Sequence, residues 1–271
     1  MHVVVCVKMV PDTTQVSINP QTNTLVREGV PFITNPYDTH AVEEGIRLKE
    51  RYGAYVTVVS MGPPPAMAVL RRAIALGADE GILLSDRVFG GADTLATSRV
   101  LSAAIEKISK TRPVDIVLCG KQTIDGDTAQ VGPGIAQRLG IAQLTLVNEI
   151  ITIDETGKKI RVKRKLEGYQ EIVESRLPAM ITVEREINIP RYPTVPGRFK
   201  AEETVIPVWT NEVLRLDPKE IGLAGSPTQV RRIFAPEREK GEVIVGEGEH
   251  VKQAVEAIFN KLIEKNILKL N

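Results

Sequence analysis

The run Gly120-Lys-Gln-Thr-Ile-Asp-Gly-Asp-Thr-Ala-Gln-Val-Gly-Pro133 follows a short apolar stretch, 115–119, and precedes a helical one, 135–139. A strand that feeds such a loop and then a helix turns free backbone amides and the positive end of a helix dipole toward one point, which suits phosphate oxygens. Gly126 and Gly132 permit close backbone approach, Thr128 and Gln130 add side-chain donors, and Asp127 can cap the helix or hold a ribose hydroxyl. A tight turn with a cap would also explain Asp125-Gly-Asp127. Length decides against it, because connections in α/β units usually run ~2 to 6 residues. The loop is neither Gly-x-Gly-x-x-Gly nor a Walker sequence, and Lys121 stands too early to be the Walker lysine.

A second glycine-bearing helix entry, Phe89-Gly-Gly-Ala-Asp-Thr-Leu-Ala-Thr97, carries hydroxyls on Thr94 and Thr97 about one turn apart. It reads equally well as a ligand contact and as a capped helix start. Conventional catalytic chemistry finds little support. No Ser-His-Asp set, paired-carboxylate signature or activated nucleophile can be assembled. Cys6 and Cys119 sit in apolar runs and read as buried free thiols, and with only His2, His40 and His250 besides, no metal site is expected. Any redox chemistry must therefore belong to a cofactor.

The elements that position these residues follow from periodicity. Val- and Ile-rich runs at 2–7, 55–59, 81–84, 114–119 and 143–147 read as strands, and helical stretches at 36–51, 66–76 and 94–109 connect them. Asp38 and Asp93 are the expected caps of the first and third helices, Gly53 and Gly77 the expected stops, and Arg71 and Arg72 are expected to face water. Strands apolar on both faces with helical crossovers imply an α/β fold with a doubly wound, mainly parallel sheet. In such a sheet the strand ends at 8–12, 60–63 and 85–94, with Asn35-Pro36, open toward the same crevice as the 120–133 loop.

Residues 16–26 suit a small hairpin at the rim, and 151–153, 159–165, 169–176 and 179–183 read as antiparallel additions to the sheet. Beyond Glu184 prolines punctuate an extended C-terminal arm that ends in an amphipathic helix, 249–265. The expected organisation is thus a nucleotide-binding core, 1–185, and a partner-recognition loop with its arm, 186–271.

Thirty-five basic against 34 acidic residues leave a net charge of +1, which gives nucleic acid no electrostatic footing. Aromatic content of 4% argues against a stacking surface for single strands, though not against one flavin or adenine. No run of ~20 apolar residues argues for membrane insertion, and the chain enters a Val-rich strand at once without an amphipathic leader. A cytoplasmic location is expected.

Several blocks coincide in order along the chain: Val7-Lys-Met-Val-Pro-Asp12, Asn35-Pro-Tyr-Asp, Ala41-Val-Glu-Glu, Arg47-Leu-Lys-Glu50, Ser60-Met-Gly-Pro63, Ala75-Leu-Gly-Ala-Asp-Glu80 and the Gly120 loop. Together they resemble the β subunit of electron-transfer flavoproteins. The stretch 162–174, leading to Leu177-Pro-Ala-Met-Ile-Thr-Val183, is similar to the family signature, with Tyr169 where a small or acidic residue is usual. The resemblance implies a heterodimer with an α subunit that holds the electron-transferring FAD, and an adenine nucleotide in the crevice of this chain. Carried over by position, that nucleotide meets the backbone at Cys6 and Lys8, Asn35, Met61, and the loop residues Gly120, Gln122, Thr123, Asp125, Gly126, Asp127, Thr128, Gln130 and Val131.

In ordinary members the nucleotide is AMP, a structural ligand. In electron-bifurcating members it is a second FAD, which accepts hydride from NADH and divides the electron pair between a low-potential ferredoxin or flavodoxin and a higher-potential dehydrogenase or quinone route. The 125–133 run, the run with Gly91, Thr94 and Thr97, and the Val-Pro-Asp12 and Gly225-Ser-Pro227 segments are similar to the bifurcating group, which favours FAD over AMP. A pyrophosphate also needs more amides than one phosphate does, and an isoalloxazine needs room beside small residues. Residues 186–201 resemble the loop that docks acyl-CoA dehydrogenase-type partners through Tyr192, Val195 and Pro196. Val195 stands where leucine is common, one methylene or about 0.8 kcal/mol of burial smaller. A stand-alone adenine-nucleotide sensor of similar fold is the remaining alternative, and the long arm argues against it.

Overall fold

A computed structural model describes residues 1–12, 31–230, 248–265 and 267–268. The hairpin expected over 16–26 lies outside the described residues. The chain divides into two compact units, Met1–Ile233 and Phe234–Asn271.

The first unit runs β1 (His2–Val7), β2 (Met9–Pro11), β3 (Phe32–Thr34), α1 (Pro36–Tyr52), β4 (Tyr55–Met61), α2 (Met67–Leu76), β5 (Glu80–Leu84) and α3 (Thr94–Thr111). It continues through β6 (Ile116–Gly120), α4 (Val131–Leu139), β7 (Ala142–Asp154), β8 (Lys159–Leu166), β9 (Tyr169–Arg176) and β10 (Ala179–Val183). It closes with α5 (Val195–Glu203), β11 (Val208–Trp209) and the short α6 (Asn211–Leu214).

One sheet has the order β11-β5-β4-β1-β6-β10-β7-β8-β9, and β2 and β3 form a small antiparallel pair beside it. Pairing is parallel from β11 across to β7 and antiparallel at β7–β8 and β8–β9. The chain builds outward from β1 through β4 and β5, then returns to lay β6 on the other side of β1. That reversal is the topological switch point, where the carboxyl ends of neighbouring strands leave a crevice.

β1 is buried at every position because both sheet faces are covered. Val3, Val5 and Val7 pack with Ala41, Val42 and Ile46 of α1 and Leu70 and Ile74 of α2. Val4, Cys6, Val117 and Cys119 pack with Leu101 and Ile105 of α3 and Ile135 of α4. Gly53 stops α1 at φ 65°, and Asp93 caps α3 by accepting from the amides of Leu95 and Ala96, both as the sequence predicts.

Four expectations need correction. The 179–183 strand is no antiparallel addition: β10 is parallel to both β6 and β7 and buried throughout, so its apolar run marks a central strand. The stretches 143–147 and 151–153 are one strand, β7, whose register shifts at bulges disguise its continuity. Asp38 does not cap α1; Asn35 holds the N-cap position and Asp38 turns inward from the first turn. Arg71 is not simply solvated, since its guanidinium donates to the Ala201 carbonyl of α5 at 2.6 Å.

The proline-punctuated segment packs closely on this sheet and its helices. β11 extends the parallel sheet beyond β5, and Ala201 of α5 is buried against the α1–α2 side of the core. Asn188 and Arg191 bind α1: Asn188 Nδ2 donates to the Glu44 carboxylate at 3.0 Å, and the Arg191 fork meets Glu43 at 2.9 and 3.0 Å. In the second unit the described helix is α7 (Val251–Glu264), where Val251, Val255, Ile258 and Phe259 are exposed. No helix among the described residues is long and apolar enough to cross a membrane.

Candidate functional site

Three pieces of chain meet at the switch point: the end of β1, the start of α1 and the loop after β6. Asn35, fully buried, fastens them. Its amide donates to the Lys8 carbonyl (2.9 Å), its Nδ2 to the Gln122 carbonyl (2.9 Å), and its Oδ1 accepts the Ile124 amide (3.2 Å). Lys8 then reaches across, with Nζ at 2.7 and 2.8 Å from the two Asp125 oxygens.

The loop is ordered by its own short-range contacts. The Thr123 carbonyl accepts the amide of Asp127 at 2.8 Å, Gln122 Nε2 donates to Asp127, and Asp127 and Ala129 both adopt left-handed backbone with φ 57° and 55°. That conformation costs a non-glycine residue ~1 to 2 kcal/mol and persists where surrounding contacts impose it. Asp127 therefore serves the loop; the N-cap of α4 is Gln130, which makes no side-chain cap bond. The first amides of α4 have no intrahelical acceptor, and no acidic residue occupies its first turn. The dipole of such a helix start favours negative charge.

Glycines let α4 sit this low. A Cβ on Gly132 would stand 2.7 Å from Thr182 Cγ2 and 2.8 Å from Cys119 Sγ, and one on Gly134 would stand 2.8 Å from Ser98 Oγ. Gly120 is equally constrained, because its Cβ would meet Asp38 Oδ1 and Tyr37 Cβ at 2.5 Å. Close approach of helix and strand backbones, rather than turn geometry, requires these residues.

α3 reaches the start of α4 through Thr94 Oγ1, which donates to Gln130 Oε1 at 3.0 Å, and Arg138 further along α4 donates to Ser98 Oγ and the Leu95 carbonyl of α3. Its N-terminus differs from that of α4, since Asp93 already occupies the Leu95 and Ala96 amides and also accepts from the backbone and hydroxyl of Thr228. Gly91 takes φ 71° beside Leu223, and Thr97 follows one turn inside the helix. Met61 ends β4 one strand away from the switch point and packs on the α3 side of the core. Thr128 and Gly126 are exposed on the loop, and Val131 opens α4. Tyr192, Val195 and Pro196 belong to a different surface; Tyr192 is 88% and Val195 68% exposed on a segment clamped to α1 and α2.

Sequence reasoning missed Asp38. It is buried, and its carboxylate accepts the Lys8 amide (2.8 Å) and the Gly120 amide (3.1 Å), one from each strand that flanks the crevice. Burial pushes its carboxyl up to about 7, against the opposing pull of Asn35 and the two amides. It also missed the Lys121–Glu184 pair at 2.9 Å and Arg185 stacked 4.5 Å over the Tyr37 ring, which tie the end of β10 to the same corner. Cys6 and Cys119 are neighbours in register across β1 and β6. Burial pushes the Cys6 thiol up to about 12 and holds Cys119 well above its usual value, so both stay protonated and unreactive.

The fold defines a doubly wound α/β protein whose switch point brings together the end of β1, the start of α1 and the loop after β6. Residues 22–214 match the electron transfer flavoprotein domain. Relatives that align along nearly the whole chain include the Protein FixA of Azotobacter vinelandii, 47% identical over 98% of this chain and 96% of that one. The electron transfer flavoprotein subunit beta of Thermoanaerobacterium thermosaccharolyticum is 46% identical over 99% and 100%. The caffeyl-CoA reductase-Etf complex subunit CarD of Acetobacterium woodii is 47% identical over 99% and 100%. The chain belongs to the electron-transfer flavoprotein family, as a β subunit.

Proposed function

We propose that this chain, paired with an α subunit, binds FAD in the switch-point crevice and takes part in electron bifurcation from NADH to a ferredoxin or flavodoxin and to a higher-potential acceptor. The observation that carries the nucleotide reading is the uncapped start of α4, where Gly132 sits close against Cys119 of β6 and Thr182 of β10. A pyrophosphate there would replace the missing cap, and the residues present fit it: Lys8 supplies the nearby cation, and Thr94, Thr128 and Gln130 supply polar side chains. The flavin, when bound, supplies the hydride-accepting and electron-dividing chemistry.

The work of the chain itself is position and electrostatics. Asn35 fixes the loop to β1 and the left-handed residues at 127 and 129 hold its shape. The protonated Cys6 and Cys119 thiols keep charge out of the floor. The alternative occupant, AMP, would use the same amides with one phosphate. Likeness to the CarD subunit of a caffeyl-CoA reductase-Etf complex supports the bifurcating reading.

The exposed row Tyr192, Val195 and Pro196 is the proposed contact for an acyl-CoA dehydrogenase-type or other redox partner. With purified heterodimer, NADH should reduce a low-potential and a higher-potential acceptor together and neither efficiently alone. Reduction of the higher-potential acceptor with no dependence on the other overturns bifurcation.

A further inference from the structure

Asp38 is oddly placed for a structural carboxylate. It is 5% exposed and pairs with no guanidinium among the described residues, yet it bridges the ends of two neighbouring strands. β1 and β6 pair in register from Val3–Ile116 to Cys6–Cys119, and the ladder ends there. Beyond it, Gly120, one residue past Cys119, and Lys8, two residues past Cys6, each give their amide to one oxygen of Asp38. The mouth of the crevice is therefore spanned by a side chain instead of a backbone ladder.

We propose that Asp38 is a positioning residue of the nucleotide site: its ionised carboxylate sets the spacing of the β1 and β6 ends and thereby makes nucleotide affinity depend on pH. The proposal rests on the nucleotide reading of the crevice. An ionised carboxylate can accept both amides at once, whereas a protonated one turns a hydroxyl donor toward one of them and loses that bond.

Among the described residues, the groups facing Asp38 leave it as the titrating element. From β1 comes the Cys6 thiol and from the residue that follows β1 the Lys8 ammonium, itself held by Asp125 of the loop; from β6 comes the Cys119 thiol; from the N-cap of α1 comes the neutral Asn35 amide. Both thiols remain protonated through neutral pH. The carboxyl itself, raised by burial to about 7, changes state within the range where the protein can be handled. Gly120 belongs to the same device, because any side chain there would collide with Asp38 Oδ1.

The test uses the heterodimer with its α subunit saturated with FAD, stripped of the β-site nucleotide, and measures dissociation constants for AMP and for FAD by equilibrium dialysis from roughly pH 6 to 8.5. The comparison is with Asp38→Asn, which preserves shape and one acceptor oxygen. Titration of the nucleotide's own phosphate is common to both proteins and cancels in their ratio. The wild type should bind about tenfold more tightly than the variant at the alkaline end, where one charge-assisted bond separates them. The advantage should collapse toward unity at the acid end.

A ratio near one throughout overturns the proposal, and so does a constant ratio, which is what a merely structural role would give. Should the variant fail to fold, the wild type alone decides with FAD, whose pyrophosphate does not titrate in this range. An acid-side loss of affinity centred near neutrality supports the role of Asp38, and a flat profile overturns it. A heterodimer that takes up neither nucleotide at any pH overturns the nucleotide reading itself, and the role of Asp38 with it.

Discussion

Gly132→Ala tests how closely α4 must approach the sheet. The added carbon would lie 2.7 Å from Thr182 Cγ2, 2.8 Å from Cys119 Sγ and 3.1 Å from Met180 Sδ, three atoms of buried residues in β6 and β10. Carbon contacts are comfortable at ~3.5 to 4.0 Å, so the helix must rise by about 1 Å or the floor must yield. Overpacking of this kind costs ~1 to 3 kcal/mol, and the better helix propensity of alanine returns up to ~1 kcal/mol. A net loss of about 1 to 2 kcal/mol corresponds to a Tm lower by roughly 2 to 8 °C for a chain of this size.

Because the proposed nucleotide site uses the first amides of α4, the same shift should weaken retention of nucleotide. The assay is a pair of thermal scans, without and with saturating nucleotide, together with nucleotide content after gel filtration. Gly126→Ala is the internal control, since its Cβ would meet only Thr123 Oγ1 at 3.4 Å and should leave Tm unchanged. If Gly132→Ala matches the wild type in both Tm and nucleotide content, the close-approach argument is wrong.

Glu43→Gln should flatten the acid limb of stability. Burial alone would raise the Glu43 carboxyl, but its bonds to Arg191 and Arg47 carry it below the ordinary value. The stability it contributes is therefore present above the unfolded-state value and lost as pH falls through the folded one. Urea midpoints measured from roughly pH 7 down to 3 should converge for wild type and variant at the acid end. Asp93→Ala removes the cap of α3 and the anchor of Thr228, which should cost ~1 to 2 kcal/mol and raise hydrogen exchange in the first turn of α3. Protection unchanged there would show that the cap is dispensable. Val195→Asp should raise the apparent KM for a dehydrogenase partner by about tenfold or more while nucleotide content stays constant; equal KM values would remove Val195 from the docking surface.

The strands and helices that build the crevice were legible because each obeys a local rule. The Val-rich run of β1 has both faces covered, α1 ends on a left-handed glycine, and α3 begins at a capping aspartate. β10 was misread because direction is not written in a five-residue apolar run; only its partners β6 and β7 reveal it. The loop after β6 was legible from its length and polarity, but its far end was not, since Val131-Gly-Pro133 already belong to α4. Asp38 was not, because an aspartate three residues into a helix looks like any first-turn acid. Its inward turn depends on Gly120 arriving from 82 residues away. The Glu43–Arg191 clamp was hidden for the same reason, with its partners separated by 148 positions.

The central claim is that the crevice beside loop 120–133 holds a flavin nucleotide. Denaturing the purified heterodimer and quantifying released FAD and AMP by chromatography tests it directly. Two FAD per heterodimer and no AMP is the predicted result, with Gly132→Ala losing one of the two. One FAD accompanied by one AMP would contradict it and leave this chain a structural AMP carrier.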